Sequence, residues 1–158
     1  MHNRGDFPVL ILGRSDRVDL PDLGLDNIHA KIDTGAYTSS LHCSSARVVN
    51  GHLEFILLDE EHPEFTGMPL RVTTYDQREI RNSFGEAELR YVIKTRIRIH
   101  GRLIRAEFSL SNRGNLRFPV LLGRKILRHR FLIDVTKKDL SYLHKLHSSP
   151  KQPPLPDA

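Results

Sequence analysis

A chain of 158 residues with 39% hydrophobic residues, no Trp and a formal net charge of +5 suits one domain with a modest core, small enough that subunit pairing would help it. No apolar run reaches the length of a membrane helix, and Met1-His2-Asn3-Arg4-Gly5-Asp6 carries no apolar signal core, so a cytoplasmic, membrane-free protein is expected. The single cysteine, Cys43, excludes an internal disulfide and fits a reducing compartment.

Residues 7–13 are apolar between Pro8 and Gly13 and read as a first strand. Residues 14–24, punctuated by Leu20-Pro21-Asp22, read as a loop or short edge strand. Apolar residues at 28, 30 and 32 alternate with His29 and Lys31, the pattern of a half-buried strand. That strand stops at Asp33, which places a carboxylate at a sheet rim. Thr34 is stiff and carries a hydroxyl, and Gly35 lets the backbone turn sharply. A carboxylate on so rigid a loop suits acid–base chemistry, although an isolated Asp-Thr-Gly also reads as an ordinary Asp-initiated turn. Extended structure resumes at Thr38-Ser39-Ser40-Leu41-His42. Cys43 follows His42, but neighbours in a strand point to opposite faces, so a packed, inert thiol is expected. Asn50-Gly51 between two apolar runs is the strongest hairpin signal in the chain.

Residues 59–69 form a polar loop with His62, Glu60 and Glu61. His144 and His147 stand three apart near a fraying end. No His-Glu-x-x-His pattern occurs, and no metal or other cofactor is expected. No Gly-rich Walker loop is present either, so the chain is not expected to bind ATP. Residues 70–74 read as a short strand, and residues 76–90 as a polar stretch turning at Asn82-Ser83-Phe84-Gly85. Residues 91–110 give the clearest β pattern. Tyr91, Ile93, Thr95, Ile97 and Ile99 share one face, Gly101 turns the chain, and Ile104, Ala106, Phe108 and Leu110 continue it. The opposite face carries Lys94, Arg96, Arg98, Arg102 and Arg105, charges that keep a sheet soluble or attract an acidic peptide. Nucleic acid is disfavoured, because no aromatic residues are interleaved with these cations for base stacking. A buried strand at 118–122 leads through Gly123 and Arg124 into one short helix over 123–130, and residues 131–135 make a last strand. Asp134 has no following glycine turn and makes a poor second catalytic acid. Residues 148–158 are proline-rich and expected to be disordered, leaving a single domain over 1–147.

Two segments taken together point further: Ala30-Lys31-Ile32-Asp33-Thr34-Gly35-Ala36, and Phe118-Pro119-Val120-Leu121-Leu122-Gly123-Arg124. The pair resembles the retropepsin-type aspartic peptidases, in which an Asp-Thr-Gly-Ala loop precedes an apolar-apolar-Gly-Arg turn. Leu10-Ile11-Leu12-Gly13-Arg14, Leu20-Pro21-Asp22-Leu23-Gly24 and Arg90-Tyr91-Val92-Ile93-Lys94-Thr95 bring the chain closer to one bacterial branch. That branch is the RimK-associated family also labelled "ATP-dependent zinc protease". The resemblance covers about residues 7–136. One position departs: Tyr37 stands where that family carries Arg.

The resemblance implies an all-β fold, a small closed β-barrel of the acid-protease type with one short C-terminal helix. It implies Asp33 as catalytic residue and Thr34, Gly35, Ala36, Gly123 and Arg124 as support for its loop. It also implies a covering hairpin, or flap, with Ser83, Phe84 and Gly85 at its tip against substrate. Such peptidases need two carboxylates sharing a proton, and this chain offers one Asp-Thr-Gly. A homodimer bringing two copies of Asp33 to its axis is the economical solution, with a peptide or protein as substrate. The expected function is therefore a dimeric aspartic endopeptidase, not zinc-dependent despite the label, acting on acidic or glutamate-rich peptides. The alternative is a non-catalytic, dimeric peptide-binding module on the same barrel.

Overall fold

The computed structural model describes residues 8–81, 84–112 and 118–148. Within them, strand β3 (Leu25–Ile32) lies between antiparallel β2 (Ser15–Leu20) and parallel β10 (Val120–Leu122). Strand β2 reaches β8 (Ala87–Ile99) at Asp19, and β8 runs antiparallel to β9 (Arg102–Ser111). Strand β4 (Ser39–Val49) pairs parallel with β9 and antiparallel with β10. These pairings close a ring of six strands, the all-β barrel expected. Outside the ring, β5 (His52–Leu57) and β6 (Leu70–Val72) extend from β4, and β7 (Asp76–Arg81) pairs with β8. Strand β1 (Leu10–Leu12) pairs parallel with β11 (Phe131–Ile133) in a separate two-stranded sheet.

The alternation read over 91–110 is the barrel wall. Ile93, Ile97, Ile99 and Phe108 are almost wholly buried, while Lys94, Arg98 and Arg105 face outward. Each such buried side chain contributes about 1.5–3 kcal/mol through the apolar surface it removes from water. Two tight turns of one kind tie the wall: Asn50-Gly51 and His100-Gly101 both hold positive φ at each residue, the backbone that matches a twisted hairpin.

The reading of residues 14–24 as loop or edge strand needs correction. Strand β2 is an integral barrel strand, with Asp16, Val18, Asp19 and Leu20 all buried. Its two acids hide the pattern because they serve as internal anchors. Asp16 accepts the backbone N–H groups of Arg17 (2.7 Å), Ser141 (2.9 Å) and Tyr142 (3.1 Å). Asp19 meets the Lys145 ammonium at 2.8 Å and accepts the Asn27 amide at 2.8 Å. Both grip helix α2 (Leu140–Ser148), which follows β11 where the sequence pointed to a fraying end. The short helix expected over 123–130 is α1 (Arg124–Leu127). Residues 1–7 and 149–158, including most of the proline-rich stretch, lie outside the described residues. Among the described residues no helix is long and apolar enough to cross a membrane.

Asp16 caps α2 from a distant strand, and its removal orphans two first-turn amides in the interior. Asp16→Ala should cost about 2 kcal/mol of stability, read as a lowered urea midpoint with loss of helical signal.

Candidate active site

Asp33 leaves β3 where that strand lies parallel to β10, with Ala30, Lys31 and Ile32 opposite Val120, Leu121 and Leu122. Its amide donates to the Leu122 carbonyl at 2.9 Å, so the sheet positions the residue up to its own backbone. The turn then folds on itself. The Gly35 amide donates to Asp33 Oδ1 at 3.1 Å, and the Ala36 amide to the Asp33 carbonyl at 3.2 Å. Asp33 is half-buried, and Thr34 and Gly35 are exposed.

A second segment locks this loop from behind. The Arg124 and Lys125 amides donate to the Ala36 and Tyr37 carbonyls at 2.8 and 3.0 Å. The Arg124 guanidinium donates to the Thr34 carbonyl at 3.0 Å, and the Ser39 hydroxyl accepts the Gly123 amide at 2.9 Å. A Cβ at position 123 would lie 2.7 Å from the carbonyl oxygens of Tyr37 and Thr38 and 2.9 Å from that of Ala36. Glycine is required there by space. Asp33, Thr34, Gly35, Ala36, Gly123 and Arg124 are thus one hydrogen-bonded unit. Tyr37 sits with its ring 5.8 Å from both the Arg124 and Arg128 guanidinium carbons.

The stretch expected to hold the flap tip lies between β7 and β8, which pair from Asp76 opposite Val92 to Arg81 opposite Ala87. Gly85 holds φ 78°, and Phe84 is 89% exposed. Ser83 lies outside the described residues. The hairpin base is fastened through Glu107, a residue the sequence reading passed over. Glu107 accepts two bonds from Arg78 on β7 (2.7 and 3.3 Å) and one from Lys125 on α1 (3.0 Å). The Arg78 guanidinium, then the Lys125 ammonium, hold its carboxyl down at about 2. Between this base and the loop end lies a cavity of about 110 Å3, lined by Thr38, Ser39, Ile80, Val92 and Ser109 among others. Phe84 and Gly85 do not line it. A lone acid on a basic face was the available signal for Glu107.

Elsewhere, burial pushes the Cys43 thiol up to about 11, and His42 bonds Asp59 at 2.7 Å, so the adjacent pair forms no activated nucleophile. Asp134 Oδ1 accepts the amide and hydroxyl of Thr136 in a local turn after β11. His62 Nδ1 accepts the Glu64 amide, and His144 packs 5.3 Å from the His100 ring. Among the described residues no three His, Cys, Asp or Glu side chains gather as metal ligands.

A closed six-stranded barrel whose Asp-Thr-Gly-Ala loop is laced to a Gly-Arg turn defines a retropepsin-like barrel protein. The model of the RimB-like family, described as retropepsin-like aspartic endopeptidase RimB, matches residues 11–143, and the chain belongs to that family. A Desulfotalea psychrophila protein named "Probable alpha-L-glutamate ligase" is 33% identical over 133 residues, 82% of this chain and 29% of that protein. A Shewanella pealeana protein of the same name is 33% identical over 128 residues, 78% of this chain and 28% of its own length. The chain therefore spans under a third of the curated relatives it matches. The crystal structure of Lpg0085 from Legionella pneumophila, a protein of unknown function, shares the fold. Its TM-score is 0.66 at 22% identity, over 84% of this chain and 98% of that one.

Two substitutions test this geometry. Gly123→Ala should destabilise the fold by about 2–3 kcal/mol through overpacking against three carbonyls, seen as a lowered melting temperature. Glu107 gains its depressed pKa on folding, so its contribution is present above the ordinary carboxylate range near 4.5 and is lost as pH falls toward about 2. The stability gap between the parent and Glu107→Gln should reach at most about 3 kcal/mol at neutral pH and close by pH 2. A gap independent of pH would break the assignment.

Proposed function

We propose that the protein is an aspartic endopeptidase that works as a homodimer. The observation that carries this reading is the Asp33 loop: a half-buried carboxylate at the rim of a barrel, oriented by the Gly35 amide and braced by Gly123 and Arg124. One chain supplies one such carboxylate, and the chemistry needs two. In a two-fold pair each copy brings its Asp33 to the axis through the same surface. Two carboxylates a few ångström apart hold one proton between them and titrate as a unit. The ionised member takes a proton from water as it attacks the peptide carbonyl, and the protonated member hydrogen-bonds the carbonyl oxygen. Thr34 and Gly35, exposed on the loop, would meet their counterparts across the axis. The β7–β8 hairpin would cover an extended substrate and hold its backbone, with the apolar Phe84 tip against substrate or the second subunit.

The substrate we infer is an acidic or glutamate-rich peptide, in a cytoplasmic setting. Its support is the basic outer face together with relatives named for adding glutamate. Catalysis through two carboxylates needs no metal, so turnover should survive chelators and stop with a statine-type transition-state analogue.

A second reading is a non-catalytic, dimeric peptide-binding module. It draws on the fact that the curated relatives are named for another activity and carry this stretch as under a third of their length. The two readings part on one experiment. Asp33→Asn should lower peptide hydrolysis by roughly 10²–10⁴-fold while sedimentation still shows a dimer. Equal hydrolysis by parent and variant, or a strictly monomeric parent, would overturn the peptidase assignment. Binding without turnover in the parent would establish the module instead.

A further inference from the structure

Among the described residues, the barrel wall has one stretch of strand edge that β4 does not reach. On one side β9 pairs with β8, from Arg102 opposite Ile99 to Ser109 opposite Val92. On its other side β4 pairs only with Phe108, Ser109, Leu110 and Ser111. Over residues 102–107 that side carries no strand among the described residues. Facing it stand α1 and the turn after it, and between them runs a groove of about 1040 Å3 lined by all of residues 101–107. Lys125, Arg128 and Arg130 form the opposite wall. Six residues of strand span about 20 Å, the length of an ordinary added strand.

The charge of this groove is one-sided. Lys94, Arg102, Arg105, Lys125, Arg128 and Arg130 line it against one acid, Glu107, whose carboxylate is already held by Arg78 and Lys125. Arg105 and Arg128 are exposed. Arg96, by contrast, belongs to the same basic face but lies outside the groove and is engaged by Asp22. A row of outward backbone groups beside cations fits an extended chain bearing carboxylates. The backbone groups supply affinity as in strand addition, and the cations choose the charge of alternate side chains. Nucleic acid fits less well, since no Phe, Tyr or Trp lines the groove for stacking. At one end Glu107 and Lys125 also line the cavity beneath the β7–β8 hairpin, so the groove continues toward the Asp33 side.

We propose that the β9 edge groove is a docking site that takes an extended acidic peptide segment as an added strand. It is separate from the catalytic loop, and docking there needs neither the Asp33 carboxylate nor peptide hydrolysis.

The test uses the full chain carrying Asp33→Asn, so that the probe stays intact. The probe is a labelled twelve-residue peptide alternating Glu and Thr, with a Lys–Thr peptide as control. Anisotropy should report binding of the Glu–Thr peptide that weakens with added salt, and none of the Lys–Thr peptide. Hydrogen exchange should slow at amides within 102–107. Arg105→Glu with Arg128→Glu should weaken binding by about tenfold or more, and the milder Arg105→Gln by less, with melting curves confirming folded protein. Unchanged affinity in either folded variant, protection confined to other segments, or absence of binding would overturn the proposal. Tighter binding of an oligouridylate, with the same amides protected, would overturn it in favour of nucleic acid. Failure of the peptidase reading would leave all these readouts intact.

Discussion

The close approach of Gly123 to three carbonyl oxygens is the constraint on which this site depends. Helix α1 has no side-chain N-cap. Two of its leading amides, those of Arg124 and Lys125, are instead satisfied by the Ala36 and Tyr37 carbonyls. Helix start and acid-bearing loop therefore complete each other's hydrogen bonds, and neither is whole alone. Any side chain at 123 would push the two apart and orphan donors and acceptors together. The same contact gives Arg124 its reach to the Thr34 carbonyl, which answers what that guanidinium does in a chain with Tyr37 beside it.

Glu107 extends this unit to the hairpin. A carboxylate shared between Arg78 on β7 and Lys125 on α1 ties three elements that are distant in sequence. Charge-assisted bonds of this kind are directional as well as strong, and they hold the base of the hairpin in register with the loop. The tip is built differently, around Gly85 at positive φ and an exposed Phe84. The hairpin is thus fastened by charge at its base and presents an apolar side chain to solvent at its tip.

What could be read from the sequence follows from how local each signal was. The β8 and β9 walls showed themselves because alternation has a fixed period, and Asn50-Gly51 because its turn demands positive φ at both residues. The Asp33 loop was legible as two short motifs that the fold brings side by side. Strand β2 escaped because Asp16 and Asp19 look solvent-facing in sequence, and only a helix more than a hundred residues later explains their burial. Helix α2 escaped for the reciprocal reason, since its start is capped by β2 and not by its own residues. Glu107 had one local hint, a single acid among cations, but its partners lie 29 and 18 residues away.

The topology also relates the barrel's two ends. Strand β4 does two jobs: residues 39–42 close the ring against β9 and β10, and the remainder departs to pair with β5. The register shift between Cys43 and Ser45 marks where it bends away, as a bulge does in a strand that must change direction. Because β4 runs parallel to β9 and begins at Ser39 opposite Phe108, the stretch of β9 before that point, residues 102–107, is left without β4 beside it. An exposed edge is ordinarily a hazard for a β protein, and it is usually covered or charged to prevent random pairing. Here it is lined mainly by cations, with Glu107 already held by Arg78 and Lys125, and walled by α1, which repels cationic strands but leaves room for an anionic one. The β9 edge is thus a consequence of where β4 starts, just after the Asp33 loop.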